Sequence, residues 1–217
     1  MTNYEQIKKL LYTFEDNHNR HVGIETKLSS VSEDKTESQN RDVRQLVYEN
    51  TRQDMDIIDM DEIAHNVYRL VRFPDSKKEE ESLASADAFV ISSDNIWYFI
   101  EFKNGSIDKA DLYRKIYDSV IMLLEMNIIP DIEFVRKNIE FILVYNSEKY
   151  GKIKPSPARE ANFNYILRRA GQEEKLFQVE KLEQYLLKET HTYTKELFNE
   201  KFVKPIEIAE NASESKR

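Results

Sequence analysis

The run Ile96-Trp97-Tyr98-Phe99-Ile100-Glu101-Phe102-Lys103 constrains the fold more than any other part of the chain. Side chains alternate across a strand, so one face carries Ile96, Tyr98, Ile100 and Phe102 and the other carries Trp97, Phe99, Glu101 and Lys103. Both faces begin apolar. Such a strand needs a covering layer on each side, which places it centrally in a sheet packed between helices. Only the end of one face turns polar, where Glu101 and Lys103 sit ~7 Å apart along the strand.

The remaining elements suit that arrangement. Helical spacing marks residues 2–16 (Tyr4, Ile7, Leu10, Leu11, Phe14), 53–71 (Met60, Ile63, Val67, Leu70) and 106–127 (Leu112, Ile116, Val120, Leu123). Residues 84–92 read as a strand preceding 96–103, and 138–146, nearly continuously apolar, as a buried strand. A short helix over 161–170 ends at Gly171. Residues 175–180 read as a last strand and 181–202 as a final helix. The expected class is α/β (α+β), with a mixed central β-sheet flanked by helices. We divide the chain into an N-terminal helix and polar loop (1–52), a core (53–146), a C-terminal extension of the same domain (147–205) and a disordered tail (206–217).

Composition narrows the function classes. The 217 residues contain no cysteine, which excludes disulfides, thiolate metal sites and cysteine nucleophiles. The sequence carries no glycine-rich phosphate loop, no serine-nucleophile motif and no zinc-ligand spacing. The N-terminus does not read as a signal peptide, and no apolar run approaches the ~18 residues of a membrane span, so the cytoplasm is expected and a membrane partner is not. The net charge of -8 weighs against a protein that coats nucleic acid non-specifically.

Asp87 reaches the polar end of 96–103 only in one hairpin register. A four-residue loop, 92–95, pairs Asp87 with Ile100 and turns it away from Glu101. A three-residue loop, Ser93-Asp94-Asn95, sets Asp87 opposite Glu101, with Asn95 in a left-handed conformation that asparagine tolerates. The sequence permits both, and a functional reading requires the second. In that register the two carboxylates have Cβ atoms ~5 Å apart. Repulsion then requires either a bound proton or a cation between them. Oxygen donors without thiols suit Mg²⁺ or Mn²⁺, and Lys103 is placed to touch the same site.

Asp87, a short hairpin and then Glu101-Phe102-Lys103 resemble the PD-(D/E)xK nuclease superfamily, with alanine rather than proline before the aspartate. The resemblance covers roughly residues 53–146. It implies a restriction-endonuclease-like core of helix, three strands, helix and strand, whose first strand would lie within 68–83. It implies that Asp87 and Glu101 hold Mg²⁺ or Mn²⁺ with the backbone carbonyl of Phe102, and that Lys103 acts on the nucleophile. Many such proteins add an acid from the first core helix. Glu62 is the candidate here, with Asp59 and Glu81 as rivals.

Other residues take secondary parts. Arg114 and Lys115 lie on the helix that follows the motif and are candidates for phosphate contact. The basic segment 147–169 offers Lys152, Lys154, Arg168 and Arg169 as a backbone-binding rim. The partner would be nucleic acid, DNA more readily than RNA. An alternative is a catalytically inactive nuclease-fold module that binds another protein, of the toxin/immunity or mobile-element kind. His18 and His21 read as loop residues, and His65 as a structural histidine.

Overall fold

A computed structural model of the chain describes residues 8–9, 11, 23–32, 55–73, 83–105, 107–145, 173 and 175–214. Six strands form one sheet in the order β1 to β6. They are β1 (Glu25–Lys27), β2 (Asp56–Asp59), β3 (Ala88–Ile91), β4 (Trp97–Lys103), β5 (Ile139–Tyr145) and β6 (Glu189–Thr194). β1 to β4 pair antiparallel. β5 and β6 then add in parallel.

β4 lies within the sheet and is covered on both faces, as its two apolar faces demand. Phe99 and its β5 neighbour Phe141 belong to one core with Phe89, Leu143, Ile116 and Leu123. Ile100 and its neighbour Ile142 belong to a second core with Val144, Phe198 and Phe202. The result is a three-layer α/β/α arrangement in which successive strand residues feed opposite cores.

The first layer holds α2, which is α-helical over Met60–Glu62, π-helical over Ile63–Tyr68 and α-helical again over Arg69–Arg72. It also holds α3 (Lys109–Glu125) and α4 (Ile132–Asn138). Short α1 (Leu28–Val31) directly follows β1. The opposite layer is the C-terminal helix α5, made of Lys195–Phe198, a π-helical Asn199–Val203, and Lys204–Glu214. Side chains at the helix starts satisfy otherwise unpaired backbone N–H groups. Asp108 accepts from Ala110 and Asp111, Asp131 from Phe134 and Thr194 from Leu197.

Several sequence expectations are corrected. The helix expected from residue 53 begins at Met60, because Asp56–Asp59 is a strand. Ile57 and Ile58 are adjacent and both fully buried, one in each core, a pattern a helical period absorbs easily. Among the described residues no strand lies within 68–83, and β2 precedes α2, so the described order is strand, helix, two strands, two helices and strand rather than helix, three strands, helix and strand. Residues 69–72 are helical, and 74–82 lie outside the described residues. The polar segment after residue 17 contains β1 and α1. Residues 175–180 are not a strand, since a 3₁₀ turn starts at Val179. The helix expected over 181–202 splits into that turn, β6, and the start of α5. The expected tail is helical as far as Glu214. Most of the expected helix 2–16, and all of that over 161–170, lie outside the described residues.

Candidate functional site

The site is built at the β3–β4 hairpin. Ala88 pairs with Ile100 and Ile91 with Trp97. Ser92 N–H donates to the Ile96 carbonyl at 2.9 Å, leaving Ser93, Asp94 and Asn95 as the loop. Asn95 takes a φ of 61°, the left-handed conformation that the three-residue turn requires. Its side-chain oxygen accepts from Trp97 Nε1 at 3.1 Å, fastening the turn to β4. Carried one residue past Ala88, this register sets Asp87 opposite Glu101.

Asp87 is held from three sides. Its backbone carbonyl accepts from Met60 N–H at 3.4 Å, at the start of α2. Just upstream, Ala84 N–H donates to Asp118 Oδ2 and Ala86 N–H to Ser119 Oγ, both at 3.0 Å, which pins this extended segment to α3. Its Oδ2 accepts from the backbone N–H of Phe102 at 2.6 Å. Phe102 thus helps fix the acid through its amide, while its side chain packs in the opposite core.

Lys115 sits between the two carboxylates. Its Nζ is 3.2 Å from Asp87 Oδ1 and 3.0 Å from Glu101 Oε2. Glu101 has a side chain only 1% exposed. Its Oε1 lies 2.8 Å from Lys115 Nζ and 2.9 Å from Lys103 Nζ. Neither ammonium is aligned to hydrogen-bond that oxygen, which is therefore buried without a hydrogen-bond partner. Lys103 also approaches Asp111 at 3.7 Å.

The electrostatics follow from burial. Desolvation, then repulsion from Asp87, pushes the Glu101 carboxyl up to about 8 despite the nearby Lys115 and Lys103. Burial also raises Asp87, against the opposing pull of Lys115 and the Phe102 amide, with Asp61 adding repulsion. Burial alone would lower Lys115, but Asp87 and Glu101 outweigh it and hold the ammonium charged. The two ammoniums match the two carboxylates in charge, so the raised proton affinity of Glu101 comes from its desolvation and from Asp87 rather than from a lack of nearby cations. The all-oxygen donor set is the kind that a hard divalent cation takes.

The structure distributes the other candidates unevenly. Glu62 accepts from Asn66 on its own helix at 2.6 Å. Asp59 accepts from Glu62 N–H at the helix start. The neighbouring Asp61, overlooked in the sequence, carries the acid of α2 toward the site. It acts electrostatically on both Asp87 and Lys115 and accepts from the Ser85 hydroxyl, two residues before Asp87. Asp61 lies off the Met60, Ile63, Val67 stripe, so helical spacing alone gives no signal for it. Arg114 pairs with Asp111 at 2.8 Å with its side chain 65% exposed, so the adjacent basic residues of α3 separate, Lys115 inward and Arg114 outward. Glu81, Lys152, Lys154, Arg168, Arg169, His18 and His21 lie outside the described residues.

No protein-family model matches the chain, and no curated protein or solved structure matches it significantly. The class that the architecture itself defines is a mixed α/β protein with a six-stranded mixed sheet flanked by helices. Among the described residues no helix is long and apolar enough to cross a membrane.

Proposed function

We propose that this chain is a metal-dependent, nuclease-like protein with a restriction-endonuclease-like core, hydrolysing phosphodiester bonds of nucleic acid, DNA before RNA, in the cytoplasm. The observation that carries the reading is the position of Asp87 opposite Glu101, with Lys103 and Lys115 within 3.2 Å of their oxygens. Asp87 and Glu101, with the Phe102 carbonyl, would hold Mg²⁺ or Mn²⁺. When bound, such an ion lowers the pKa of a water molecule and neutralises charge on the scissile phosphate.

The chain's own residues supply the rest. Lys103, near the open end of β4, orients the attacking water and offers its ammonium to the phosphate oxygens. Lys115 holds Asp87 and Glu101 in their facing orientation, and Asp61 braces the Lys115 end of the pair. Arg114, facing outward on α3, is available to a nucleic-acid backbone.

A second reading has its own support. Lys115 already neutralises part of the pair from within the fold, and the chain carries a net charge of -8. A nuclease-fold module that binds another protein without turnover would keep this arrangement for stability alone.

Cleavage of plasmid, single-stranded DNA and RNA, with and without Mg²⁺ or Mn²⁺, separates the two. The hydrolase reading expects metal-dependent cleavage that Glu101→Ala and Lys103→Ala each reduce by at least 100-fold, the scale of losing an acid–base or electrostatic group. No cleavage of any substrate together with no metal binding would overturn the hydrolase reading and favour the binding module.

A further inference from the structure

We propose a second metal site, for a first-row divalent cation such as Zn²⁺, formed by Glu140, Glu189 and His191. It lies away from the Asp87–Glu101 pair. His191 pairs with Ile142 and Glu189 with Glu140, so the three side chains leave the sheet on the α5 face, whereas Glu101 leaves it on the α3 face. Glu140 stands near the start of β5 and Glu101 near the end of β4.

One ligand atom from each residue can be chosen so that all lie within 4.8 Å of one another. His191 Nε2 is 3.7 Å from Glu140 Oε2 and 3.9 Å from Glu189 Oε1. These separations are too long for hydrogen bonds. They approach the spacing of about 3.3 Å between neighbouring ligands on a tetrahedral ion with bonds of about 2.0 Å. Closing these two distances to that spacing takes a few tenths of an ångström at each side chain.

The second observation is the orientation of the imidazole. His191 Nδ1 lies 3.1 and 3.2 Å from the two oxygens of Glu173. Glu173 is itself held by the backbone N–H of Thr192 at 3.3 Å. An ionised carboxylate only accepts, so Nδ1 donates to Glu173 and Nε2 is the ring atom left facing Glu140 and Glu189. A carboxylate on the far nitrogen is how proteins fix a metal-binding histidine. The Tyr193 ring, stacked 5.0 Å from His191 and inclined by 22°, limits its rotation.

Lys188 pairs with Glu140 Oε1 at 2.6 Å, leaving Oε2 as the atom nearest His191. Burial alone would lower His191, but Glu140 and Glu173 outweigh it and raise its pKa, so a metal here competes with a proton on the ring. Mixed nitrogen and oxygen donors favour Zn²⁺ and its first-row neighbours over Mg²⁺. The ion would tie β6, the outermost described strand on this side, to β5.

Titrating the full chain with ZnCl₂ by calorimetry, with thermal melting in parallel, tests the site. The variants are Glu189→Gln, Glu173→Gln, His191→Ala and the pair Asp87→Asn/Glu101→Gln. Glu189→Gln alters a side chain 50% exposed and leaves the fold intact. Wild type and the Asp87/Glu101 double variant are expected to bind Zn²⁺ with equal affinity at this site and to melt higher with it. Glu189→Gln and His191→Ala should weaken that binding at least tenfold, and Glu173→Gln by 10- to 100-fold, the usual range for a residue supporting a ligand. No Zn²⁺ binding by wild type overturns the proposal. So does binding that the double variant loses and Glu189→Gln retains. Either result leaves the nuclease reading standing, since the two sites share no residue.

Discussion

Glu101 combines nearly complete burial with three charged neighbours. Its proton affinity is the most direct handle on the site. Its carboxyl, ordinarily near 4.5, is pushed up to about 8 by burial and by Asp87. Between those values the folded state binds more protons than the unfolded one, so stability falls as pH rises. The loss is complete once the pH passes about 8, the folded value. Chemical denaturation at intervals from pH 5 to 9 should show this decline, and Glu101→Gln, which cannot ionise, should flatten it. A wild-type profile that instead rises through this window would mean that Lys115 and Lys103 dominate. Divalent metal works in the opposite direction to the proton. Mg²⁺ bound by Asp87 and Glu101 should release close to one proton at neutral pH, readable as a buffer-dependent heat of binding.

At the scale of elements, the β3–β4 turn decides whether the carboxylates meet. A loop one residue longer would move Asp87 to the other face of the sheet, because strand side chains alternate. Asn95 secures the short loop twice, through its φ of 61° and its bond to Trp97. Asn95→Ala should cost about 1–2 kcal/mol, the penalty of a β-carbon in the left-handed region. Asn95→Gly, free of that penalty, should stay closer to wild type, and equilibrium unfolding of the two variants gives the comparison. The sequence allowed this turn, since asparagine is one of the few residues at ease there, but allowed a four-residue loop as well. β6 was not legible. Its segment, Glu189-Thr-His-Thr-Tyr-Thr, lies between leucine- and lysine-rich stretches that favour a helix. It forms a strand because Thr190 and Thr192 are buried on one face, where Glu183 accepts from Thr190 and Thr192 accepts from Leu176. Those partners come from a turn whose position no local pattern announces.

For the whole molecule, the α5 layer turns a one-sided sheet into a three-layer fold. Phe198 is fully buried, stacked 5.0 Å from Phe202 and edge-on to Phe102 at 5.8 Å. Phe102 is the middle residue of the Glu101–Lys103 motif, so this layer supports the site from behind. Phe198→Ala should cost about 3–5 kcal/mol through lost burial and the cavity left behind. For a chain of this size that lowers the melting temperature on the order of 10 °C. A drop of only a degree or two would mean that the C-terminal layer is dispensable to the sheet. The net charge of -8 also belongs to this scale: any nucleic-acid contact must be confined to a local basic surface, and should weaken steeply with salt.

Strand parity is a local property with a fixed period of two. The sequence by itself therefore determined that β4 is covered on both faces, that Glu101 and Lys103 share one of them, and that a three-residue turn would bring Asp87 alongside. The tertiary structure decided what depends on the packing of distant elements. The rotation of α3 turns Lys115 inward and Arg114 outward, and the start of α2 brings Asp61, rather than Glu62, toward Asp87. The parallel pairing of β5 with β6 gathers Glu140, Glu189 and His191, while Glu173 reaches them from outside the sheet. A charged residue on a helix has no intrinsic direction until that helix is docked, and ligands far apart in the chain have no readable spacing until the strands carrying them pair.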